Sequence, residues 1–282
     1  MGFSFKKAER KQVKLRIALI GPSGAGKTYS ALLTAKGLGG KTALIDTENR
    51  RSEYYASEFD YDVLQLEPPF TPERYIEAIE AAEEAGYDNL IIDSISHEWI
   101  GKGGCLEIHT NMPGNSYTNW AKITPRHDKF IDKMIRCNCH LIATIRGKDQ
   151  YVLEEKNGKQ TPKKVGVGGQ QRDGFEYECT IAFNIEQDTH VATVTKDNTH
   201  LFENVFEPLS PEAGKKLRKW AEEGLEFKPL ASKEEVNAVL AKAKELNVSN
   251  EDLKALMLKE LNTDTFKNIT RENIEKLLAA LK

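Results

Sequence analysis

Short apolar runs alternate with amphipathic stretches over the first two-thirds of the chain, which predicts strands and helices in turn. Buried strands are predicted where the runs are mostly apolar, at residues 15–20, 42–46, 89–93 and 140–145. Helices are predicted where apolar residues recur at helical spacing, at residues 29–38, 71–86 and 124–136. Residues 181–185 and 190–195 predict a late hairpin. This order predicts an α/β fold, with a mostly parallel sheet flanked by helices.

The C-terminal segment has a different pattern and predicts a separate helical unit. Residues 230–282 contain no Gly or Pro and are rich in Ala, Leu, Lys and Glu. Three helices are expected at about residues 233–246, 250–261 and 270–281, with Ser232 and Thr270 as N-caps. We therefore expect a core domain in residues 1–229 and a small three-helix domain in residues 230–282.

The segment between the first predicted strand and the first predicted helix carries the most specific motif. It matches the phosphate-loop pattern G-x-x-x-x-G-K-[ST] at every fixed position. Glycines let backbone N–H groups converge on phosphates, Lys27 reaches the β- and γ-phosphates, and Thr28 offers a hydroxyl to Mg²⁺. The motif predicts a nucleoside-triphosphate site that takes ATP and Mg²⁺. The expected nucleotide-binding residues are Gly21, Pro22, Ser23, Gly24, Ala25, Gly26, Lys27, Thr28 and Tyr29.

Two acidic residues at predicted strand ends are candidates for metal binding and catalysis. Asp93 closes a strand, where a carboxylate can hold Mg²⁺ through water; the alternative is an acid that caps a turn. Ser94 follows Asp93, so the catalytic base is not the next residue. Glu48 follows the second strand and could orient the attacking water; the alternative is a solvated loop acid.

The four cysteines form a weak pattern for a metal site. Cys137, Cys139 and His140 lie close together, and Cys105 with His109 could supply a second pair. Structural zinc sites more often use two separated pairs such as C-x-x-C. A helix end followed by a strand is the simpler interpretation of the Cys-Asn-Cys-His segment.

The acidic positions resemble those of RecA-like ATPases rather than those of the AAA+ or kinase branches of the phosphate-loop class. Ile45-Asp46-Thr47-Glu48 repeats the RecA tetrapeptide that ends in the catalytic Glu. Asp93-Ser94 repeats the magnesium-binding Asp of RecA and the Ser that follows it. The resemblance implies catalytic roles for Lys27, Glu48 and Asp93.

Two further positions extend this resemblance. Tyr55 lies seven positions after Glu48, as the adenine-stacking Tyr of RecA lies after its catalytic Glu. Thr144 occupies the polar sensor position before Ile145-Arg146-Gly147-Lys148. RecA has Gln at that position, so the shorter Thr144 implies a less direct coupling between DNA and ATP.

Over residues 14–220 the chain resembles the small RecA-like ATPases of bacteriophages, which include single-strand-annealing recombination proteins. The shared strings are Ser-Tyr-Thr-Asn-Trp at 116–120, Thr-Pro-Arg-His at 124–127, Tyr-Val-Leu at 151–153, Lys-Lys-Val-Gly at 163–166, Gln-Arg-Asp-Gly-Phe-Glu-Tyr-Glu at 171–178 and Thr-Lys-Asp at 195–197. The resemblance implies that Lys196 acts on a neighbouring subunit's nucleotide, although Asn198 stands where these proteins usually carry Arg. A solvated hairpin charge is the alternative for Lys196.

The same resemblance implies the partners. It implies ATP rather than GTP as nucleotide, single-stranded DNA as substrate, and a ring or filament of identical subunits. A single-strand-binding protein is a candidate partner. Similar short helical tails occur on phage recombination proteins, so residues 230–282 could contact DNA, a protein partner or a neighbouring subunit.

Two segments correspond to the DNA-binding loops of RecA-like proteins, at about residues 96–119 and 146–174. The first is glycine-rich and predicts a mobile loop, with Trp120 in the core. The second has seven basic and four acidic residues, a net charge of +3, and its glycines predict mobility. A surface hairpin with ordinary lysines is the alternative. The candidate DNA-binding residues are Arg146, Lys148, Tyr151, Lys163, Lys164 and Arg172.

Composition bounds the class of protein. Of 282 residues 39% are hydrophobic and 29% charged, which predicts a soluble globular protein, and the net charge of −3 requires any DNA contact to be local. Residues 1–16 lack an apolar run of signal-peptide length, and no run is long enough to span a membrane. We therefore expect a protein of the bacterial host cytoplasm. Residues 230–282 carry nine basic and nine acidic residues, so charge does not favour DNA there.

The sequence thus predicts an ATPase that anneals or pairs single-stranded DNA in phage recombination. Three alternatives stay open: a helicase or translocase motor, a small-molecule kinase that uses the same loop, and a nucleotide-gated interaction protein. Strand displacement distinguishes the motor. A kinase needs a lid and an acceptor pocket. In an interaction protein, Glu48→Gln leaves function intact.

Overall fold

Within residues 5, 7–156, 159–172, 174–226, 231–266 and 269–281, which the computed structural model describes, nine strands form one sheet. In chain order they are β1 Arg16–Gly21, β2 Thr42–Asp46, β3 Asp62–Gln65, β4 Asn89–Asp93, β5 His140–Lys156, β6 Lys159–Gly169, β7 Ile181–Ile185, β8 Ala192–Asp197 and β9 Phe206–Glu207. Across the sheet the order is β3-β2-β4-β5-β1-β7-β8-β9, and β6 pairs with β5.

The central strands run parallel, and their C-terminal ends meet at one edge of the sheet. β2 pairs with β3 and β4, β5 pairs with β4 and β1, and β1 pairs with β7. In this register Asp46 lies opposite Asp93, and Gly21 lies opposite Arg146. The edge where the strands of an open α/β sheet end is where such folds bind ligands.

Helices cover both faces of this sheet. They are α1 Lys27–Leu38, α2 Pro72–Glu84, α3 Ser96–Ile100, α4 Cys105–Asn111, α5 Ser116–Arg136, α6 Phe175–Glu178 and α7 Pro211–Ala221. On one face Tyr75 of α2 and Phe130 of α5 belong to the same buried cluster as Ile20 of β1. On the other face Leu32 of α1 belongs to the cluster that contains Leu19. Alternate residues of β1 thus pack into the hydrophobic clusters on opposite faces of the sheet. The predicted α/β fold is confirmed.

The predicted parallel strands and the late hairpin are confirmed within one or two residues at their starts, but β3, β6 and β9 lie outside the predicted strands. β3 was not predicted, because Val63 and Leu64 are each 39% exposed on an edge strand and lack a buried apolar pattern. β5 continues far beyond residue 145, because antiparallel pairing with β6 extends it.

The mobile loop predicted at residues 96–119 is wrong, since α3, α4 and the start of α5 occupy it. Its glycines allow close packing: a Cβ at Gly101 would lie 2.6 Å from the His97 carbonyl oxygen, and Gly103 has φ +75°. α5 begins at Ser116 rather than near residue 124, because the Asn115 side chain caps it and Pro125 is accommodated within the helix. Trp120 is half-buried rather than in the core.

Most of the segment at residues 146–174 forms two paired antiparallel strands, 147–156 and 159–169, rather than an irregular loop; residues 157, 158 and 173 lie outside the described part. Lys148 lies opposite Gly168, and Tyr151 lies opposite Lys164 after a register shift between Gln150 and Tyr151. Gly166, Gly168 and Gly169 therefore belong to a paired strand, β6, rather than to a loop.

The C-terminal helices are α8 Lys233–Glu245, α9 Asn250–Leu261 and α10 Arg271–Ala280, as predicted within about one residue. Ser232 forms a capping box with Glu235, and the Thr270 side chain caps α10. Their buried cluster is separate and includes Val239, Met257 and Leu277. Residues 13–223 form one compact unit and residues 1–12 with 224–282 another. The division at residue 229 stays a prediction.

No helix in the described part of the chain combines the length and the apolar character that a membrane crossing needs.

Candidate nucleotide-binding site

The loop between β1 and α1 is folded as a phosphate cradle. Gly24 and Gly26 have φ angles of +82° and +80°, which L-residues with a side chain rarely adopt. A Cβ at Gly21 would lie 2.8 Å from the carbonyl oxygen of Ile185, so a larger residue does not fit there. The loop leads directly into the N-terminus of α1, whose unpaired N–H groups attract phosphate oxygens.

The Lys27 amine is folded back onto this loop. Its Nζ donates to the carbonyl oxygens of Gly21 and Pro22, both at 2.9 Å. Burial lowers the pKa of Lys27, while the nearby carboxylates of Asp93 and Glu48 partly oppose that shift. A phosphate group entering the cradle would offer the amine charged oxygens in place of neutral carbonyls.

Asp93 lies at the end of β4 with both carboxylate oxygens engaged. Oδ2 accepts from the Thr28 hydroxyl and Oδ1 from the Thr144 hydroxyl, each at 2.5 Å. Burial raises the pKa of Asp93 more than the two hydroxyls lower it. A hydroxyl beside a carboxylate is the hard-oxygen donor set that Mg²⁺ prefers, so Thr28 and Asp93 fit that ion. Thr144 is fully buried behind Asp93.

Glu48 lies just beyond β2 and is held by Arg146. The guanidinium donates from Nε to Oε1 at 2.9 Å and from Nη2 to Oε2 at 2.7 Å. Burial favours the neutral acid, but the hydrogen bonds and charge of Arg146, with smaller effects of His97 and Arg51, outweigh it and lower the pKa of Glu48. The carboxylate is therefore ionised and occupied on both oxygens.

Asp46 fixes the loop that carries Glu48. Its Oδ1 accepts from the Glu48 backbone N–H at 2.6 Å. Its Oδ2 accepts from the backbone and hydroxyl of Ser52, at 3.0 and 2.5 Å. Asp46 is buried, and its hydrogen bonds hold the backbone of this loop in place. Glu48, by contrast, lines the cavity and pairs with Arg146.

Lys27, Thr28, Glu48, Asp93 and Arg146 line a cavity of about 1070 Å³, which is ample for a nucleotide. One wall is aromatic: the Tyr29 ring makes edge contacts with Tyr55 at 5.4 Å and with Phe59 at 5.3 Å between centroids. The Tyr29 hydroxyl donates to Glu58 at 3.0 Å. Tyr55 lies in a 3-10 turn, Arg51–Tyr55, and is half-buried at the cavity wall.

The structure brings most of the expected nucleotide residues together and leaves one apart. Lys27, Thr28, Tyr29, Glu48, Tyr55 and Asp93 all line the cavity. Lys196, on β8, is not among the lining residues, and its amine donates to the Tyr177 carbonyl.

Two residues near the loop were not expected there from the sequence. His190, in the turn between β7 and β8, lies with Nδ1 3.1 Å from the Ala25 carbonyl oxygen. Arg146 was assigned to DNA rather than to Glu48. No local pattern marks either contact, because each depends on which strands are neighbours in the sheet.

The candidate DNA-binding residues lie at the base and along the length of the hairpin. Lys148 is exposed, and Arg172 donates to Asp128 at 3.2 Å. Tyr151, Lys163 and Lys164 pair through their backbones, while their side chains lie outside the described part of the structure.

The Cys-Asn-Cys-His segment at residues 137–140 packs against neighbouring parts of the sheet. The Cys139 thiol donates to the Tyr87 carbonyl at 2.9 Å, and His140 Nδ1 accepts from the Leu15 N–H at 3.2 Å. His109 stacks on Trp120, with 4.0 Å between ring centroids. Cys105 donates to Glu98 at 3.1 Å, so its neighbour is not the expected His109.

Comparisons with known proteins give a family match and weak structural likenesses. A family model described as an AAA domain matches residues 13–205. Among solved structures, the RadB recombinase crystal structure aligns with a TM-score of 0.36 and 16% identity, over 64% of this chain and 81% of that chain. A likeness at that level supports no conclusion about function. No curated protein matches the chain significantly.

Proposed function

Since the chain belongs to the AAA domain family, we propose that it hydrolyses ATP in a reaction that single-stranded DNA stimulates. In this proposal the protein anneals or pairs single strands in phage recombination. The nucleotide occupies the cavity between the phosphate loop and the aromatic wall, and DNA contacts the β5–β6 hairpin.

The observation that carries the proposal is the position of Arg146. Its backbone lies opposite Gly21, the first residue of the phosphate loop. The next residue, Gly147, lies opposite Gly169 and begins the hairpin. The Arg146 side chain donates two hydrogen bonds to the Glu48 carboxylate. One residue therefore belongs to the candidate DNA-binding segment and contacts the candidate catalytic acid.

The role of each residue in nucleotide binding follows from the hydrogen-bond donors and the charge that it offers. The loop N–H groups and the Lys27 amine would hold the phosphates, and Tyr29 and Tyr55 would contact the base. Thr28 and Asp93 would hold Mg²⁺, which neutralises charge on the transferred phosphoryl group when bound. Glu48 would accept a hydrogen bond from the attacking water and orient it toward the γ-phosphate.

Arg146 competes with water for Glu48, because its guanidinium donates to both carboxylate oxygens. The Arg146 side chain is 39% exposed, so a DNA phosphate could compete for its guanidinium. Withdrawal of Arg146 would free a carboxylate oxygen for water and remove the charge that lowers the pKa of Glu48. This competition gives a physical reason for DNA-stimulated hydrolysis.

Subunit contacts belong to the same proposal. Lys196 would approach the nucleotide of a neighbouring subunit in a ring or filament. Residues 230–282, with balanced charge, would serve a protein contact more readily than DNA.

The DNA proposal is tested by fluorescence anisotropy with a labelled single-stranded oligonucleotide over a range of salt concentrations. The double variant Lys163→Glu and Lys164→Glu removes two basic residues of the hairpin. We expect weaker binding and a slope of log K against log salt that is shallower by about 1.4, the value for two lost phosphate contacts. Lys254→Glu with Lys259→Glu on α9 makes the same charge change at exposed positions and serves as the control.

Equal effects of the two double variants, or no binding by the wild type at low salt, would contradict a DNA-binding hairpin. Annealing of complementary oligonucleotides without unwinding of a duplex supports the recombination role. ATP-dependent strand displacement would instead identify a helicase or translocase motor.

A further inference from the structure

Three potential metal ligands meet in a buried cluster near the end of β4. Glu98 of α3, Cys105 of α4 and His127 of α5 place their ligand atoms within 4.8 Å of one another. Glu98 and Cys105 have no exposed surface, and His127 is 4% exposed. The nucleotide site described above uses none of the three.

The cluster could not be recognised from residue spacing. Its members come from three helices, and residues 98, 105 and 127 match none of the paired zinc-ligand patterns. The short helices α3 and α4, joined by the glycine turn, bring Glu98 and Cys105 together. α5 then brings His127 to the same point.

The separations between the three side chains suit a small metal ion. Cys105 Sγ lies 3.1 Å from Glu98 Oε1, and His127 Nδ1 lies 3.1 Å from both Glu98 oxygens. Ligand atoms around tetrahedral zinc lie about 3.3–3.6 Å apart, from bond lengths of about 2.0–2.3 Å. The two contacts to Glu98 are therefore a few tenths of an ångström shorter than in a zinc site, and the Cys105 and His127 ligand atoms lie within 4.8 Å of each other.

The chemistry and charge of the set also fit zinc. Thiolate, imidazole and carboxylate are the three side-chain ligand types that Zn²⁺ takes in proteins. A thiolate and a carboxylate balance the double charge of the ion, so the buried site is neutral overall. Gln171 Nε2 donates to Glu98 Oε2 at 3.3 Å and to the Ile95 carbonyl at 2.9 Å, and so orients the carboxylate from outside.

We propose that Glu98, Cys105 and His127 bind one Zn²⁺ ion that fastens α3, α4 and α5 to one another. Binding displaces the thiol proton of Cys105 to solvent, and the imidazole keeps its proton on Nε2 while Nδ1 binds the ion. A buried water molecule takes the fourth position. The role is structural rather than catalytic, because the three protein ligands are at most 4% exposed and a substrate cannot reach the ion.

The alternative is a hydrogen-bonded polar cluster that binds no metal ion. In that cluster the Cys105 thiol and the His127 Nδ1–H each donate a hydrogen bond to Glu98, which the 3.1 Å distances also allow. Metal content and a thiolate signal distinguish the two.

The test uses untagged full-length protein, with zinc measured by mass spectrometry and then replaced by Co²⁺ in the presence of Mg²⁺ and ADP. We expect about one zinc per chain and a near-ultraviolet cobalt–thiolate absorption band. Cys105→Ser should lose the band and the metal. Cys179→Ser, which removes a buried thiol outside the cluster, should keep both. Cobalt at Thr28 and Asp93 would have oxygen ligands and give no such band.

Absence of bound zinc, or a cobalt band that survives in Cys105→Ser, would overturn the proposal. If Cys105→Ser does not fold, X-ray absorption on the wild-type zinc protein decides. One sulfur at about 2.3 Å with nitrogen and oxygen at about 2.0–2.2 Å is expected. A shell without sulfur would reject the site.

Discussion

Glu48 is governed by its contact with Arg146. Both carboxylate oxygens accept from the guanidinium, at 2.9 and 2.7 Å, and the side chain of Glu48 is 15% exposed. Burial alone would raise the pKa of Glu48, so the lowered pKa depends on the arginine. A carboxylate in this state is stable and ionised but poorly placed to bind water.

Removal of the arginine should therefore change both rate and pH dependence. In Arg146→Ala we expect basal ATP hydrolysis to rise by about tenfold, because Glu48 is released and becomes a stronger base. DNA should then stimulate little further. Because the Glu48 pKa is lowered from 4.5, we expect the wild-type rate to fall only at a pH below that value, and the rate of the variant to fall at a higher pH. Steady-state rates across pH measure both effects.

Arg172→Ala is the matched control. It removes one arginine from the same segment, but that side chain contacts Asp128 rather than Glu48. Its basal rate should match the wild type. A lower basal rate in Arg146→Ala would show that the arginine supports catalysis rather than restraining it.

Where the motif is local, the sequence predicted residues that the structure brings to one cavity, while their roles stay predictions. Lys27 and Thr28 follow from the loop pattern, and Asp93 and Glu48 follow from strand ends. The pairing of Glu48 with Arg146 could not be predicted, because it depends on β5 lying between β4 and β1. Periodicity gives strands but not their order in the sheet.

At the element scale, β5 joins the core of the sheet to the hairpin. Its first half is buried beside β1 and β4, and that half was predicted from its apolar residues. Its second half has a polar sequence and is a strand because it pairs with β6. Such pairing is set by partner and turn rather than by hydrophobic pattern, which is why the extension could not be predicted.

The start of β5 carries a pH-sensitive contact. His140 Nδ1 accepts from the Leu15 N–H, so the imidazole must stay neutral at that nitrogen. Burial, with the charges of Lys14 and Arg16, lowers the pKa of His140 from 6.5 to about 4. Since the unfolded chain protonates first, this contribution to stability is complete above pH 6.5 and is lost as pH falls toward 4.

His140→Asn should remove that dependence, because an amide oxygen can accept from the Leu15 N–H without titrating. The free energy of unfolding of the wild type should fall by up to about 3 kcal/mol more than that of the variant between pH 7 and pH 4. Urea unfolding followed by tryptophan fluorescence measures it, since Trp99, Trp120 and Trp220 all lie in residues 13–223. Parallel pH curves for the two proteins would refute the role of His140.

At the scale of the whole molecule, charge is distributed unevenly along the chain. The chain has a net charge of −3, while residues 146–174 carry +3 and residues 230–282 are neutral. Any attraction for DNA is therefore local and salt-dependent. Composition could predict that much, but it could not predict that this basic segment begins at the residue that holds Glu48.

The most direct measurement is ATP hydrolysis by the purified chain with and without single-stranded DNA, beside Lys27→Ala. We expect a rate that rises with DNA in the wild type and is lost in the variant, because the amine that binds the β- and γ-phosphates is absent. A wild-type rate indifferent to DNA, with no DNA binding at low salt, would contradict the proposed function.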